Sequence, residues 1–325
     1  MRTLPPRTQA QRSAPVAAAA ALVTTAVLAV PQSAGAAESS PVGFGAGTTG
    51  GGSASAVTVS SLAAFEAAVA GNTAKVVRVD GLISLSGQID VGSNTTVLGL
   101  GSSSGFTGGG LRLKKVTNVV IRNLNISKPV APADGITVEA STKVWIDHNS
   151  FSADRDHDKD HYDGLLDINH GADNVTVSWN TFQDHFKGSL VGHSDDNAGE
   201  DTGHLKVTYH HNHFNNVYSR IPSLRFGTGH FYNNYVEGAD TACHSRMGAQ
   251  MLVENNVFRS TKVAVTTSRS GDVDGYANLR GNDLGGAATE ISRVGGFTSP
   301  PYGYTAEPAS SVVSSVTPGA GAGRL

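Results

Sequence analysis

Three aspartates in the stretches "ADGITV" and "YDGLLDI" have the type and spacing that suit a calcium site. Sets made of oxygen ligands alone are typical of Ca²⁺, which takes about six to eight of them. On a straight strand Asp163 and Asp167 would share a face but lie about 13 Å apart, so both can bind one ion only where the backbone bends. Gly164 permits such a bend. Asp134 adds a third carboxylate, and three convergent carboxylates repel each other unless a cation compensates them.

The stretch "SRIPSLR" carries two arginines, Arg220 and Arg225, and the surrounding "NNVYSRIPSLRFGTG" holds no acid to pair with them. Five residues apart on an unbroken strand, their side chains would face opposite sides. Pro222 removes a ladder donor and marks a turn, so both can face outward on the same side. Lys187 in "DHFKGS" follows a strand and places an ammonium beside an acidic insertion. These cations suggest a site for an anionic ligand, with ordinary surface arginines as the alternative.

Other polar residues indicate less specific chemistry. The acidic stretch "DRDHDKD" fails as an EF-hand loop, because Lys159 and Leu165 stand where Gly and Glu are required, and we interpret it as a solvated mixed-charge loop. His211 and His213 share one face of a strand, but no Cys or Glu completes a zinc spacing, so we expect stacking or turn hydrogen bonds. The single cysteine, Cys243, cannot form an internal disulfide and is expected to be a small buried residue.

The elements that position these residues are short Val/Ile/aromatic runs, each ending in Asn and an apolar residue. The closing apolar residues are Ile126, Phe151, Phe182, Phe214, Val236 and Phe258. A basic step near 22 residues, lengthened by insertions, is the signature of a solenoid. The longest insertions fall between the second, third and fourth runs, and long loops on a rigid scaffold often carry function.

Asparagines recur near the ends of these runs, and we expect them to stack coil on coil and to hydrogen-bond to one another and to turn backbone. The recurring residues are Asn149, Asn180, Asn212, Asn234 and Asn256. Asn-Gly and Asp-Gly hairpin turns are scarce, which disfavours antiparallel sheets. The sequence therefore predicts an all-β fold, a right-handed single-stranded parallel β-helix, with a β-propeller or a sandwich as the alternative.

The N-terminal part of the chain predicts three segments. Residues 1–36 combine three arginines, a 15-residue apolar run and a small-x-small cleavage site at Ala34-Gly35-Ala36, which is typical of a secretory signal peptide. Residues 37–56 are rich in Gly, Ser and Ala and are expected to be a flexible lead-in. Residues 57–325 form the β-helix domain, which opens with a helix over 61–71 that caps the end of the solenoid.

Charge restricts the partners. Removal of the signal peptide takes away Arg2, Arg7 and Arg12 and no acid, which leaves a formal charge of −6 instead of −3. A mildly acidic protein is a poor nonspecific ligand of nucleic acid or anionic membrane. We therefore expect a secreted, extracellular monomer that binds neither. A polyanionic ligand would have to bind through a local cationic site or a bridging metal.

Three motifs in order carry a family likeness. "VWIDHNSF", "YDGLLDINHGADNVTVSWNTFQDHFKGSLVGHSDD" and "SRIPSLRFGTGHFYNNYV" resemble the pectate lyases of the first polysaccharide lyase family, from about residue 57 to the C-terminus. The resemblance implies a right-handed parallel β-helix. It also implies a Ca²⁺ site formed by Asp134, Asp163 and Asp167. Some members add a carboxylate two residues before the first aspartate, where this chain has Pro132, so we expect calcium to bind weakly without substrate.

The resemblance also implies the reaction, a β-elimination on α-1,4-linked polygalacturonate. In this scheme Arg220 is the catalytic base, and Lys187 and Arg225 bind uronate carboxylates. Because an arginine is almost always protonated, a basic role requires neighbouring positive charge and favours an alkaline optimum. The acid partners that the arginines lack would then be on the substrate.

Three other functions stay open. A pectin lyase would act on methylated substrate without calcium, although retention of the three aspartates argues against it. A glycoside hydrolase on a similar β-helix needs two carboxyl groups rather than a lysine and arginine set. A non-catalytic carbohydrate-binding β-helix would keep the fold without the activity.

Overall fold

Three parallel sheets wind around one hydrophobic core in a computed structural model that describes residues 1–4 and 38–325. The chain divides into two units, Met1–Ser33 and Ala34–Leu325, and the second contains the solenoid. The predicted signal peptide falls almost wholly on residues outside the described part. No helix among the described residues is long and apolar enough to span a membrane.

A full coil contributes one strand to sheet A, one to sheet B and one to sheet C, in that order along the chain, whereas the first and last coils are incomplete. The ten strands of sheet A are β1 (Ala56–Val59), β2 (Lys75–Val79), β5 (Thr95–Gly99), β8 (Thr117–Arg122), β11 (Thr142–Asp147), β14 (Asp173–Ser178), β17 (Lys206–His210), β20 (Thr228–Tyr232), β23 (Gln250–Glu254) and β26 (Tyr276–Arg280). Neighbouring strands pair in parallel, as the 22-residue step predicts.

The other two sheets follow the same pattern. The eight strands of sheet B are β3 (Leu82–Ser84), β6 (Gly105–Thr107), β9 (Asn125–Ser127), β12 (Ser150–Ser152), β15 (Thr181–Lys187), β18 (His213–Ser219), β21 (Tyr235–Glu237) and β24 (Val257–Arg259). The nine strands of sheet C are β4 (Gln88–Asp90), β7 (Gly110–Lys114), β10 (Ile136–Glu139), β13 (Leu166–Asn169), β16 (Leu190–Val191), β19 (Ser223–Arg225), β22 (Thr241–Arg246), β25 (Val263–Thr266) and β27 (Ala288–Glu290). The predicted parallel β-helix is confirmed.

The closing apolar residues of the repeat form one continuous ladder inside sheet B. Each pairs with its counterpart in the next coil, from Ile126 to Phe258. All six are fully buried, and the rings of Phe151, Phe182 and Phe214 stack at 4.9 and 4.5 Å. Burial of one such side chain stabilises the fold by roughly 1.5–3 kcal/mol. The insertions therefore leave the register of the coils intact.

The asparagines form a second ladder, at the turn between sheets A and B. Each side-chain amide donates to the Oδ1 of the next asparagine at 2.9–3.1 Å, from Asn149 through Asn256. Asn282 extends the ladder by one coil beyond the predicted set. These side chains also donate to backbone carbonyls, so they satisfy polar groups that the turn would otherwise bury unpaired. The predicted structural role of the asparagines is confirmed.

Helices cover parts of the solenoid. Ser61 caps the N-terminus of helix α1 (Leu62–Val69), since its side chain accepts a hydrogen bond from the backbone of Ala64. Phe65 and Val69 of this helix are buried in the core. The predicted capping helix is confirmed. Helix α2 (Ala198–Asp201) is a single turn in an insertion. Helix α3 (Ala309–Gly319) was not predicted, because its Ser- and Val-rich sequence favours a helix weakly. Packing of its buried residues against the solenoid stabilises it.

The glycine-rich segment before β1 differs from the flexible lead-in that its composition suggests. The backbone amide of Gly45 donates to the Thr176 hydroxyl at 3.0 Å, and that of Thr49 donates to Asn118 at 2.7 Å. Glycine is required here because a Cβ on Gly45 would lie 2.9 Å from the backbone of Thr176. The segment is anchored along sheet A by bonds that composition alone does not reveal.

Candidate active site on sheet C

Two of the predicted metal ligands meet on neighbouring coils of sheet C. Strand β13 contains Asp167 and pairs with β10, so that Thr137 lies opposite Asp167. Asp134 precedes β10 by two residues. A Cβ placed on Gly164 would lie 2.4 Å from Oδ1 of Asp167 and 3.0 Å from Oδ1 of Asp134. The two carboxylates therefore converge on the space that the missing side chain of Gly164 leaves open.

The environment of this pair disfavours two negative charges. Burial and then the charge of Asp167 raise the pKa of Asp134 above its usual range. Burial also raises the pKa of Asp167, and the charge of Arg220 opposes that rise. Neutral donors reach both carboxylates: Thr137 Oγ1 donates to Asp134 at 2.7 Å, and the Leu190 amide donates to Asp167 at 3.0 Å. A cation would relieve the remaining repulsion, and hard oxygen donors suit calcium.

Asp163, the third predicted ligand, has a different partner. Its Oδ1 accepts from Lys187 Nζ at 3.1 Å and from the Gly164 amide at 3.0 Å. Over residues 1–4 and 38–325, no group of three or more His, Cys, Asp and Glu side chains is arranged to hold a metal. The structure thus brings together two of the three predicted ligands, and Asp163 would have to exchange Lys187 for an ion.

Lys187 ends β15, and its side chain is only 13% exposed. Besides Asp163, its Nζ contacts Asp160 of the acidic insertion at 3.3 Å. The backbone carbonyl of Asp163 lies 2.7 Å from His185 Nε2, two residues before the lysine. These contacts hold the acidic insertion against the end of β15. The ammonium of Lys187 therefore lies beside the acidic insertion, as the sequence predicts.

Arg220 and Arg225 line one cavity, which we call the arginine cavity. Arg220 lies between β18 and β19 with a φ of 60°, and Arg225 ends β19. The cavity has a volume of about 240 Å³ and is lined by Leu190, Ser219, Arg220, Ser223, Arg225, Thr241, His244, Arg246, Arg269 and Ser270. The two arginines therefore point to the same side of the solenoid, as the turn at Pro222 predicts.

Arg225 has an acid partner within the chain, contrary to the expectation that only substrate supplies one. Its Nε donates to Asp195, and its Nη1 donates to the Gly192 carbonyl at 2.6 Å. Burial lowers the pKa of this guanidinium, and the hydrogen bond to Asp195 opposes the shift. Asp195 also accepts two hydrogen bonds from Arg246, at 2.5 and 2.7 Å. Asp195 lies in an insertion, so no spacing in the sequence indicates this contact.

Three ionisable residues of the cavity are not among the residues that the sequence predicts for the site: His244, Arg246 and Arg269. A signal for Arg246 exists, because β19 pairs with β22 and places Arg246 directly beside Arg225 on the next coil. The interval of 21 residues from Arg225 to Arg246 is close to the basic step of 22, so the repeat indicates this neighbour. Arg269 lies on the loop after β25 and binds Glu290, so its neighbourhood depends on the tertiary structure.

A family model described as pectate lyase matches residues 13–325 of the chain. The chain belongs to the pectate lyase family. Pectate lyase A of Emericella nidulans is 50% identical over 277 residues, which cover 85% of this chain and 83% of the relative. The family expectation is confirmed, and the chain is a polysaccharide lyase. The hydrolase and the non-catalytic alternatives are therefore wrong.

Solved structures of pectate lyases have the same fold. A pectate lyase from Bacillus sp. N165 in complex with trigalacturonate superposes with a TM-score of 0.81 at 33% identity, over 87% of this chain and 99% of the other. A second pectate lyase structure, which addresses substrate specificity and the anti β-elimination mechanism, gives a TM-score of 0.75 at 25% identity, over 87% and 97%. The β-propeller and sandwich alternatives are thereby excluded.

Proposed function

We propose that this pectate lyase is calcium-dependent and cleaves α-1,4-linked polygalacturonate by β-elimination, which leaves 4,5-unsaturated oligogalacturonides. The observation that carries the proposal is the convergence of Asp134 and Asp167 on Gly164, with Lys187 and Arg220 beside them. The trigalacturonate bound to the Bacillus enzyme and the mechanism addressed in the second structure support the substrate and the reaction.

Asp134, Asp163 and Asp167 would hold the calcium ion. When bound, the ion supplies positive charge that neutralises the uronate carboxylate and so acidifies the adjacent C5 proton. The space that the missing side chain of Gly164 leaves between the carboxylates can hold an ion. A cation there would also relieve the repulsion between the two buried carboxylates. Pro132 brings no further carboxylate, so we propose that substrate oxygens complete the ligand set.

Arg220 removes the C5 proton in this mechanism. The electron pair of the broken C5–H bond forms the C4–C5 double bond, the C4–O bond breaks, and the leaving oxygen takes a proton from solvent. An arginine accepts a proton only after its guanidinium has lost one, so alkaline medium favours the reaction. We therefore expect an alkaline activity optimum, and an acidic optimum without calcium dependence would contradict the mechanism.

Lys187 and Arg225 bind uronate carboxylates, which places the reacting sugar beside Arg220. Nε and Nη1 of Arg225 already bond to Asp195 and to the Gly192 carbonyl. A carboxylate can therefore reach Nη2 directly, whereas a bidentate contact requires Asp195 to release Nε. Lys187 must likewise leave Asp163 as the ion binds.

The test measures ultraviolet absorbance of the unsaturated product from polygalacturonate, with and without EDTA, for wild type and Arg220→Ala. We expect EDTA to abolish wild-type activity and Arg220→Ala to lose about 10²- to 10⁴-fold in rate, the contribution of a general base. Arg78→Ala is the matched control, because Arg78 is an exposed arginine of sheet A, and this variant should keep full activity. An active Arg220→Ala, or a wild type indifferent to EDTA, would refute these assignments. A pectin lyase acting on methylated substrate would show that indifference.

We also propose that the enzyme is exported and acts as an extracellular monomer. The basis for export is the sequence of residues 1–36, which lies almost wholly outside the described part. Edman sequencing of the exported protein should begin at Ala37, and light scattering should give the mass of one chain. A retained leader or a dimer would contradict this.

A further inference from the structure

A second cavity, which we call the distal cavity, lies on sheet C beside the proposed calcium site. It has a volume of about 600 Å³ and is lined by Leu85, Ser86, Gly87, Gln88, Gly108, Arg112, Val130, Ala131, Pro132 and Ala133. Its wall comes from β4, β7 and the loop that leads into Asp134. The residues to which the proposed function gives roles do not line it.

Hydrogen bonds connect the distal cavity to the proposed active site. The Gln88 amide donates to Thr137 Oγ1 at 2.6 Å and to the Asp134 carbonyl at 3.3 Å, and Thr137 in turn donates to the Asp134 carboxylate. Arg112 lies opposite Thr137, which lies opposite Asp167. Adjacent strands are about 4.8 Å apart, so Arg112 is about 10 Å from Asp167 along the solenoid. A polymer that is bound at the aspartates and runs along sheet C towards β4 would extend into this cavity.

The charge of the distal cavity is neutralised within the protein. Arg112 is the cationic residue that lines this cavity. It forms a bidentate salt bridge with Asp90, in which Nε donates to Oδ1 at 2.5 Å and Nη2 donates to Oδ2 at 2.9 Å. Apolar side chains supply much of the remaining wall, including Val130, which is 45% exposed. A uronate carboxylate entering here would meet no unpaired cation and would lose part of its hydration.

The arginine cavity has the opposite character. Four arginines line it, and among the described residues Arg220 has no acid within salt-bridge distance. A free uronate carboxylate is therefore favoured at this end of the cleft and is not favoured at the distal end. The two ends lie on either side of the aspartate pair.

We propose that the distal cavity holds a neutral, methyl-esterified galacturonate residue of the substrate chain, whereas the arginine cavity requires a free uronate. This inference rests on the proposed function and adds a specificity to it. The apolar wall at Val130 and Pro132 contacts the ester methyl. The Nε2 of Gln88 already donates to Thr137 and to the Asp134 carbonyl, so its Oε1 accepts a hydrogen bond from a sugar hydroxyl. The enzyme then cleaves partly esterified pectin with esters tolerated on one side of the broken bond.

The experiment compares kcat/KM for polygalacturonate and for partly methyl-esterified pectin. Asp90→Asn releases the charge of Arg112 into the distal cavity, and Val130→Lys adds a cation at its exposed rim without disturbing that ion pair. Each should shift the ratio towards polygalacturonate by about 1.5- to 5-fold, the effect of an exposed ion pair. Asp80→Asn is the charge-matched control at an exposed position that does not line the cavity, and it should keep the wild-type ratio.

Mass spectrometry of wild-type pectin products supplies a second readout. We expect methyl esters at a fixed position on one side of the cleaved bond and their absence on the other side. The inference is overturned if esters are excluded from both sides, or if both variants keep the wild-type ratio. Failure of the proposed function gives a different result, since no unsaturated product would form from polygalacturonate at all.

Discussion

Replacement of Gly164 by alanine should weaken calcium binding while leaving the fold intact. The added Cβ would lie 2.4 Å from Oδ1 of Asp167 and 3.0 Å from Oδ1 of Asp134, where ordinary contacts begin at 3.4 Å. The Asp167 oxygen must therefore move by about 1 Å, several times the 0.3 Å or so over which calcium–oxygen distances vary. Gly164 does not adopt a positive φ, so alanine suits its backbone.

The expected loss is about 10- to 100-fold in calcium affinity, the range seen when a group that orients a metal ligand is removed. It corresponds to roughly 1.4–2.7 kcal/mol. Two assays measure it: the calcium concentration for half-maximal lyase rate, and calorimetric titration of calcium with a bound oligogalacturonate. Gly199→Ala is the matched control, because nothing lies within 4 Å of its Cβ. A Gly164→Ala enzyme with wild-type calcium affinity would show that these two carboxylates do not hold the ion together.

Three further predictions concern the stability of the protein. Asn212→Ala removes the ladder bonds to Asn180 and Asn234 and leaves buried polar groups unpaired. It should lower the free energy of unfolding in urea by about 2–5 kcal/mol. A loss below about 1 kcal/mol would contradict the role of the ladder. Burial alone would raise the pKa of the Glu254 carboxyl, but hydrogen bonds from the side chains around it lower it to about 2. Its stabilisation is therefore complete above its ordinary pKa of 4.5 and is lost as pH falls towards 2, so acidification should destabilise wild type more than Glu254→Gln. Equal acid sensitivity of the two proteins in thermal melts would refute this. Asp195→Asn should lower stability by about 1–3 kcal/mol, because it leaves two largely buried arginines without their acid, and an unchanged urea midpoint would argue against that charge cluster.

The repeat made most of the fold predictable. Residues such as Phe182 and Asn180 recur at steps that correspond to one coil, and coils of a solenoid contact only their neighbours. Equivalent positions then stack in register whatever the length of the insertions. The same rule places Asp134 one coil before Asp167 and puts Arg246 beside Arg225. In parallel stacked coils, residues one repeat apart in the sequence lie side by side in space. The fold and the candidate ligands can therefore be predicted from intervals in the sequence.

The tertiary structure alone decided which charges meet. Asp163 forms an ion pair with Lys187 and does not converge with Asp134 and Asp167. Asp195, which lies in an insertion, accepts hydrogen bonds from Arg225 and Arg246. The glycine-rich segment before β1 and helix α3 likewise lie against the solenoid through contacts that their own residues do not indicate. Insertions and termini have no repeat to fix their register, so their contacts depend on packing and hydrogen bonds to distant coils. The sequence by itself determined the scaffold and the face that carries the site, whereas the pairing of charges across loops was set by packing in three dimensions.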